Sequence, residues 1–260
     1  MRRALLLAAF LLLPMGGHTQ DALPHEVDGR SSGWVYLSEG LRAMQDDDFQ
    51  NPGMFAVDAG ADLWSRADGA AGLSCASCHG DAAQSMRGVS ARYPVLDAAA
   101  GKLVNLEMRI NEERRTRMQA EPLAWESDDL LALTAFIAHQ SRGMPMNVAI
   151  DGALQPFFEA GRAFYFQRRG QLDLSCANCH DQLAGQKLRG DTISEGQVNG
   201  FPIYRLLWTS MGSLHRMFRW CNQNVRAEPY AYGSDEYLAL ELYVAWRSRG
   251  LPVETPALRR

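Results

Sequence analysis

The sequence predicts a mainly α-helical protein that contains two copies of one domain after an N-terminal extension. Two observations support this fold class: the chain repeats itself, and both copies carry segments with helical periodicity and capping residues at corresponding places. No run of alternating apolar and polar residues is long enough to require a β-sheet. The 260 residues, 47% of them hydrophobic, suffice for one large core or two small ones. The net charge of −4 gives no reason to expect nucleic acid as a partner.

The N-terminus has the layout of a secretory signal peptide. Two arginines after the initiating methionine precede an apolar run from Ala4 to Leu13, and a polar stretch follows. This run is too short to anchor the chain in a bilayer, and no other apolar run is long enough for a membrane helix. We expect residues 1–20 to be removed near Gln20, and the mature protein to lie in the periplasm with no membrane span.

The internal repeat has a period of about one hundred residues, which suits a duplicated domain and is too long for a solenoid. Gly60 matches Gly161 and Gly69 matches Gly170 at one common offset. Further matched blocks are Leu73-Ser74-Cys75 with Leu174-Ser175-Cys176, and Ser141-Arg142-Gly143 with Ser248-Arg249-Gly250. We assign residues 53–147 and 148–260 to the two domains. Residues 21–52 form an N-terminal extension outside the repeat, which we expect to wrap around the body.

Each copy is predicted to open and close with a helix. The opening helices run from Pro52 to Trp64 and from Leu154 to Arg168, and each leads into a short cysteine motif. Each closing helix begins at a serine followed by two acidic residues, which suit the N-cap and the first turn, and ends before a glycine. The serines are Ser127 and Ser234, and the glycines are Gly143 and Gly250.

Both copies carry the sequence Cys-x-x-Cys-His, the attachment signature of c-type haem. Two thiols bond covalently to the haem, and the adjacent histidine ligates the iron. A thioredoxin-like redox pair or half of a zinc site would also use two such cysteines, but the histidine, the duplication and the export signal favour haem. The motifs are Cys75, Cys78 and His79 in the first copy, and Cys176, Cys179 and His180 in the second. We therefore predict two covalently bound haem c groups in two cytochrome c-like domains.

The fifth cysteine, Cys221, is left without an internal partner. Its possible fates are a buried inert side chain, an intermolecular disulfide, or a reactive or ligating thiol. It follows the second motif by about forty residues, where a cytochrome c domain usually supplies its distal ligand, and a thiolate there would depress the haem potential. Three arginines in residues 215–226 suit a thiolate and an oxyanion, or else pair with haem propionates.

The repeat places Arg114 opposite Cys221, so the first copy has no equivalent thiol. The first haem must use another sixth ligand or have an open site. The side chains available for this ligand are Met108, Met118, Met144, His139 and Glu113.

Three blocks in the second copy resemble one known family. They are Phe218-Arg219-x-Cys221-Asn222, Val225-Arg226-Ala227-Glu228-Pro229-Tyr230 and Gly250-Leu251-Pro252. The chain is similar to the SoxA family, the larger, dihaem subunits of the periplasmic SoxAX cytochrome of sulfur oxidation, from about Trp34 to Arg259. The resemblance implies an L-cysteine S-thiosulfotransferase, which joins thiosulfate oxidatively to a cysteine of the carrier SoxYZ. It also implies a SoxX-like monohaem cytochrome subunit as partner and a soluble cytochrome as electron acceptor.

The same resemblance implies roles for individual residues. His180 and Cys221 would be the proximal and distal ligands of the active-site haem, and His79 would ligate the other haem. Cys221 would also be the catalytic sulfur, as a thiolate or persulfide. The arginines expected to bind the thiosulfate dianion are Arg216, Arg219 and Arg247.

The chain departs from the family pattern at two places. Glu113 or Arg114 stands where dihaem members commonly have a cysteine ligand for the first haem, and Met217 stands where the family usually has an active-site arginine. Two other functions are therefore kept beside the transferase. One is a dihaem electron-transfer cytochrome in which Cys221 only tunes the potential, and the other is a dehydrogenase that couples two thiosulfates to tetrathionate.

Overall fold

The computed structural model of the protein describes residues 23–260, so the predicted signal peptide lies outside the described residues. The fold within them is mainly α-helical, as predicted. The helices are α1 (Glu39–Asp46), α2 (Met54–Ser65), α3 (Cys75–His79), α4 (Ala82–Ser85), α5 (Leu106–Glu113), α6 (Asp128–His139), α7 (Gln155–Phe166), α8 (Cys176–His180), α9 (Leu214–Asn224) and α10 (Asp235–Arg247). None of these helices is both long and apolar enough to cross a membrane.

The strands have two or three residues each, which is too short for an alternating pattern to reveal them in the sequence. They are β1 (Glu26–Val27), β2 (Arg30–Ser31), β3 (Val95–Asp97), β4 (Lys102–Val104), β5 (Lys187–Leu188), β6 (Asp191–Thr192), β7 (Ile203–Arg205), β8 (Ser210–Gly212) and β9 (Ala257–Arg259). Six of them form hairpins, and the last three form one sheet in the order β8-β7-β9. In this sheet β7 is antiparallel to β8 and parallel to β9.

The duplication is visible in the way each copy packs its opening helix against its closing helix. Helix α2 packs on α6 in the first copy, and α7 packs on α10 in the second. At each crossing a glycine, Gly60 or Gly161, lies so close to the facing helix that a Cβ atom would overlap the carbonyl oxygen of Ala132 or Ala239. The matched glycines therefore reflect one shared helix contact.

The closing helices have the N-terminal caps that the sequence predicts. The Ser127 hydroxyl accepts a hydrogen bond from the Leu130 amide at 3.3 Å, and the Ser234 hydroxyl accepts one from the Tyr237 amide at 3.4 Å. The C-terminal ends differ from the prediction, because the caps are Gln140 and Ser248, and Gly143 and Gly250 follow them in the next turn with φ of 81° and 84°.

A second pair of matched glycines joins each haem motif to the segment that follows it. Gly69 and Gly170 both have φ of 69°, and a Cβ atom at either would overlap a carbonyl oxygen, that of Met118 or Val225. Two residues after Gly170, the Leu172 amide donates a hydrogen bond to the same Val225 carbonyl at 3.3 Å. The loop before each motif is therefore held against the C-terminal end of a helical segment, which is α9 in the second copy.

The N-terminal extension packs on the end of the second domain. The Leu258 amide donates to the Gln45 side chain at 3.0 Å, and the Asn51 side chain donates to the Pro256 carbonyl at 2.8 Å. Close to the start of the extension, the rings of His25 and Trp34 stack with centroids 3.9 Å apart. The expectation that this segment wraps the body is met by these contacts.

A small cavity of about 60 Å³ between the two copies contains two acidic side chains, Glu107 of α5 and Glu241 of α10. Asn105 donates to the Glu241 carboxylate at 3.2 Å. Burial, reinforced by the negative charge of Glu241, raises the pKa of Glu107 from 4.5 to about 8. The Glu107 carboxyl therefore keeps its proton in the folded protein at a pH where the unfolded chain releases it.

Gly161→Ala should destabilise the protein by about 1–3 kcal/mol, because its methyl group would push α7 away from α10. The matched control is Gly40→Ala in α1, where a Cβ atom meets no other atom within 4 Å. That change should instead stabilise the protein by about 0.5–1 kcal/mol through helix propensity. Chemical denaturation of both haem-loaded variants measures the difference, and equal effects would contradict the close helix contact.

Glu107→Gln should remove a dependence of stability on pH. In the unchanged protein, stability should fall as pH rises from 4.5 to about 8, because the folded state binds a proton that the unfolded state has lost. The slope is at most on the order of 1.4 kcal/mol per pH unit. Denaturation curves at pH 5 and pH 8 measure it, and an equal slope in Glu107→Gln would show that another group titrates.

Candidate haem and thiol site

The second motif forms the short helix α8, which brings its three functional side chains together. A capping box begins this helix: the Asn178 amide donates to the Ser175 hydroxyl at 3.3 Å, and the Ser175 amide donates to the Asn178 side chain at 2.9 Å. Residues three and four apart on a helix face the same side, so Cys176, Cys179 and His180 share one side of α8. Neither cysteine is in a disulfide.

The His180 ring is oriented for metal binding. Its Nδ1 lies 2.8 Å from the Ser194 carbonyl oxygen, which can only accept, so Nδ1 carries the proton and Nε2 keeps a free lone pair. A Cβ atom at residue 196 would lie 2.8 Å from the His180 ring, so glycine is required there. Burial also lowers the pKa of His180, which favours the neutral, ligating imidazole. These residues fit a covalently attached haem with His180 as the iron ligand.

Arg247 supports the same loop. Its guanidinium lies 2.6 Å from the Asp181 carboxylate and donates to the Glu195 carbonyl at 3.0 Å. The Tyr165 hydroxyl donates to the same carboxylate at 2.7 Å. Arg247 therefore joins α10 to the residues on either side of the His180 contact, and its predicted role in binding thiosulfate stays a prediction.

Helix α9 carries Cys221 and is fixed to α10 by buried polar contacts. Asn222 donates to the Tyr237 hydroxyl at 3.1 Å, and the buried His215 ring accepts from the Gly233 amide at 3.0 Å. On the same helix, Phe218 belongs to the core cluster that includes Ala177 of α8. The helix that bears the fifth cysteine thus shares one hydrophobic core with the second haem motif.

The Cys221 thiol shares its surroundings with the thiols of the second motif. Burial, with a smaller contribution from negative charge on Cys176 and Cys179, raises the pKa of Cys221 to about 12, and Arg205 partly opposes this rise. The structure therefore brings Cys221 and the attachment cysteines into one site. Without a bound metal, the surroundings favour the neutral thiol, because loss of solvation outweighs the nearby positive charge.

Two of the predicted substrate-binding arginines on α9 are engaged with other groups. Arg216 donates to the Ser210 hydroxyl at 3.2 Å and to the Met211 carbonyl at 3.0 Å. Arg219 donates to the Tyr230 carbonyl. The sequence hypothesis that these arginines surround the thiol stays a prediction.

The positive charge that acts on Cys221 belongs to Arg205, which sequence reasoning did not identify. Arg205 is the last residue of the strand β7, and its guanidinium packs against the ring of Trp220, the residue before Cys221 on α9. No motif or repeat in the sequence marks this position, so only the tertiary structure reveals it.

The first motif forms the corresponding helix α3, and Arg114 occupies the place that Cys221 has in the second copy. The Arg114 guanidinium forms an ion pair with Asp68 at 2.8 Å and donates to the Glu121 carbonyl at 3.1 Å. Burial raises the pKa of Cys75, while Arg114 lowers it, so the two side chains lie in one site. The His79 ring lies 5.7 Å from the ring of Trp64.

The side chains proposed as sixth ligands of the first haem are not equally placed. Glu113 is among the charges that act on Cys75. The His139 Nδ1 lies 3.0 Å from the Thr255 carbonyl, which leaves its Nε2 lone pair free as at His180, and Met108 packs against the core of the second copy. A Cβ atom at residue 88 would lie 3.0 Å from the Met144 methyl group, and Met118 is buried. The sixth ligand of the first haem therefore stays a prediction, with all five side chains as candidates.

Known proteins with similar sequence and structure agree with this architecture. The family model described as "SoxA/TsdA, cytochrome c domain" matches residues 59–146 and 160–253, once in each copy. The L-cysteine S-thiosulfotransferase subunit SoxA of Pseudaminobacter salicylatoxidans is 46% identical over 93% of this chain and 86% of its own length. The corresponding subunit of Rhodovulum sulfidophilum is 44% identical over 93% of this chain and 84% of its length.

A solved structure gives the same result. The crystal structure of SoxXA from P. pantotrophus superposes with a TM-score of 0.86 and 44% sequence identity, covering 90% of this chain and 88% of the matched chain. A cytochrome c domain implies covalently bound haem c, as the two motifs predict. The chain therefore belongs to the SoxA/TsdA cytochrome c family.

Proposed function

We propose that this chain is the catalytic haem subunit of a periplasmic L-cysteine S-thiosulfotransferase. The enzyme would join thiosulfate to a cysteine thiol of a SoxYZ-type carrier protein. The observation that carries this proposal is the position of Cys221, whose helix α9 shares a hydrophobic core with the second Cys-x-x-Cys-His motif and whose thiol interacts electrostatically with Cys176 and Cys179. Two SoxA subunits with 46% and 44% sequence identity bear this activity in their names, and each matches 93% of the chain.

Two haem c groups would be bound, one by each motif. Cys176 and Cys179 would hold the active-site haem, and His180 and Cys221 would ligate its iron. Cys75 and Cys78 would hold the other, with His79 as one ligand. Haem iron supplies an acceptor of single electrons and a positive centre that favours the thiolate form of a bound sulfur.

The overall reaction needs the removal of two electrons. A carrier thiol and thiosulfate form a new sulfur–sulfur bond, giving a cysteine S-thiosulfonate, one proton and two electrons. Cys221, as a thiolate or persulfide, would hold the sulfur in a covalent adduct and pass it to the carrier thiol. A covalent nucleophile of this kind divides one difficult reaction into two easier steps, formation of the adduct and transfer to the carrier.

The electrons leave through other proteins. A SoxX-like monohaem cytochrome would form a heterodimer with this chain, and the match to a crystal structure of SoxXA supports this pairing. A soluble cytochrome would accept electrons from this pair. Export by the predicted signal peptide would place all these components in the periplasm, where haem c is attached.

A dihaem electron carrier remains the second candidate function. The contacts of Arg216, Arg219 and Arg247 with other protein groups favour it, because these arginines were expected to hold the substrate. A dehydrogenase forming tetrathionate would need thiosulfate but no carrier protein. Dependence of turnover on the carrier thiol separates that reaction from the transferase.

Thiosulfate should modify Cys221 when the haem-loaded chain is assembled with its cytochrome partner. Peptide mass spectrometry should find a thiosulfate-derived adduct or extra sulfur on the peptide that contains Cys221, and a carrier thiol should remove it. Cys221→Ser should lose the adduct and reduce turnover by at least about a hundredfold, as expected for loss of a nucleophile. If Cys221 stays unmodified in the haem-loaded complex with its partner, the transferase function is contradicted and the electron-carrier function is retained.

The two motifs supply matched controls for this experiment. The variant Cys75→Ala/Cys78→Ala should keep one covalent haem and still form the adduct. The variant Cys176→Ala/Cys179→Ala should keep the other haem and form none. The opposite pattern would assign the chemistry to the first motif and contradict the proposal.

A further inference from the structure

Arg205 is held between two tryptophan rings. Its guanidinium carbon lies 5.0 Å from the ring centroid of Trp208 and 4.7 Å from that of Trp220, and the two rings meet edge to face. The side chain is only 8% exposed. Contact with two indole faces stabilises the cation and shields it from water.

Only part of the Arg205 guanidinium is used by the protein. Its Nε donates to the Arg260 carbonyl at 2.8 Å, and its Nη2 lies 3.5 Å from the Asp191 carboxylate. The third nitrogen, Nη1, is buried and has no hydrogen-bond partner among residues 23–260. A buried charged donor without an acceptor is costly, so this nitrogen is suited to bind an anion.

The free nitrogen lies beside the part of α9 that carries Cys221. Trp220, one of the two rings that hold Arg205, directly precedes Cys221 on α9. The Arg205 guanidinium carbon lies 4.7 Å from the centroid of the Trp220 ring, so contact with α9 holds the guanidinium near the turn that contains the thiol.

Helix α9 supplies no positively charged side chain one turn before Cys221 on the same face. Met217 lies one turn before Cys221, and residues four apart share a face of a helix, so an uncharged side chain flanks the thiol there. Arg219 precedes Cys221 by two residues and so points away from that face. A positive charge beside the thiol must therefore come from another element.

We infer that Arg205 is the substrate-binding cation of this site and that its Nη1 binds a sulfonate oxygen of thiosulfate. The sulfane sulfur would then lie against Cys221. This inference rests on the proposed thiosulfate transfer. A charge-assisted hydrogen bond from a rigid, buried guanidinium both attracts the dianion and fixes its orientation toward the reacting sulfur.

A haem propionate is the other anion that could reach the same nitrogen. It would give Arg205 a role in holding the cofactor, and this role has a different signature. Loss of a propionate partner changes the haem spectrum and potential without substrate, whereas loss of a sulfonate partner changes the affinity for thiosulfate.

Arg205→Gln should raise the KM for thiosulfate about tenfold to a hundredfold in the haem-loaded complex, with a smaller change in kcat. The haem spectrum and potential should stay as in the unchanged protein. Met217→Arg, added to this variant, should restore much of the affinity, because it places a guanidinium one turn before Cys221. Such rescue would not follow if Arg205 were only structural.

The matched control is Arg42→Gln. Arg42 also stacks on a tryptophan, with its guanidinium 4.5 Å from the Trp34 ring, and also has a buried nitrogen without a partner among the described residues, but it lies in the N-terminal extension. The KM of the Arg42→Gln variant for thiosulfate should equal that of the unchanged protein. If Arg205→Gln fails to load haem, Arg205→Lys, which keeps the charge and loses the fork, should still raise KM severalfold.

An unchanged KM in Arg205→Gln or, where that variant does not load haem, in Arg205→Lys would overturn the inference. A changed haem potential with unchanged KM would assign Arg205 to the propionate instead. In both cases adduct formation on Cys221 in the unchanged chain would leave the proposed function intact. Absence of that adduct in the unchanged chain would overturn the proposed function and this inference together.

Discussion

The site depends on a close backbone contact between the loop before the second haem motif and the end of α9. Gly170 has no side chain, so its backbone can approach the Val225 carbonyl, and neighbouring amides then bond to the same end of the helix. This contact determines where α9 lies relative to α8. Because Cys221 is on the last turns of α9, its distance from the attachment cysteines follows from a contact that involves none of them.

The two copies share this backbone contact but differ in the side chain that lies beside the haem motif. In the first copy Gly69 makes the same approach, and the side chain brought to the motif is Arg114, which is neutralised by Asp68. In the second copy the corresponding side chain is a thiol. One scaffold therefore places a paired cation beside one motif and a thiol beside the other.

Features set by neighbouring residues were predictable from the sequence, and features set by the fold were not. The caps at Ser127 and Ser234 depend on local sequence, and the structure has both of them. Arg205 could not be predicted, because a three-residue strand and two separate tryptophans bring it to the thiol. The other groups that contact Arg205 are Asp191, Trp220 and Arg260, which lie on separate segments of the chain, so no sequence spacing connects them.

The proposed function requires that the sulfur of Cys221 ligates the iron of the second haem. X-ray absorption at the iron edge of the haem-loaded protein tests this claim most directly, because it detects sulfur in the coordination shell. The account predicts an iron–sulfur contribution in the unchanged protein and its loss in the otherwise folded, fully haem-loaded Cys221→Ser variant. A spectrum without iron–sulfur scattering, or one that Cys221→Ser leaves unchanged, would contradict it.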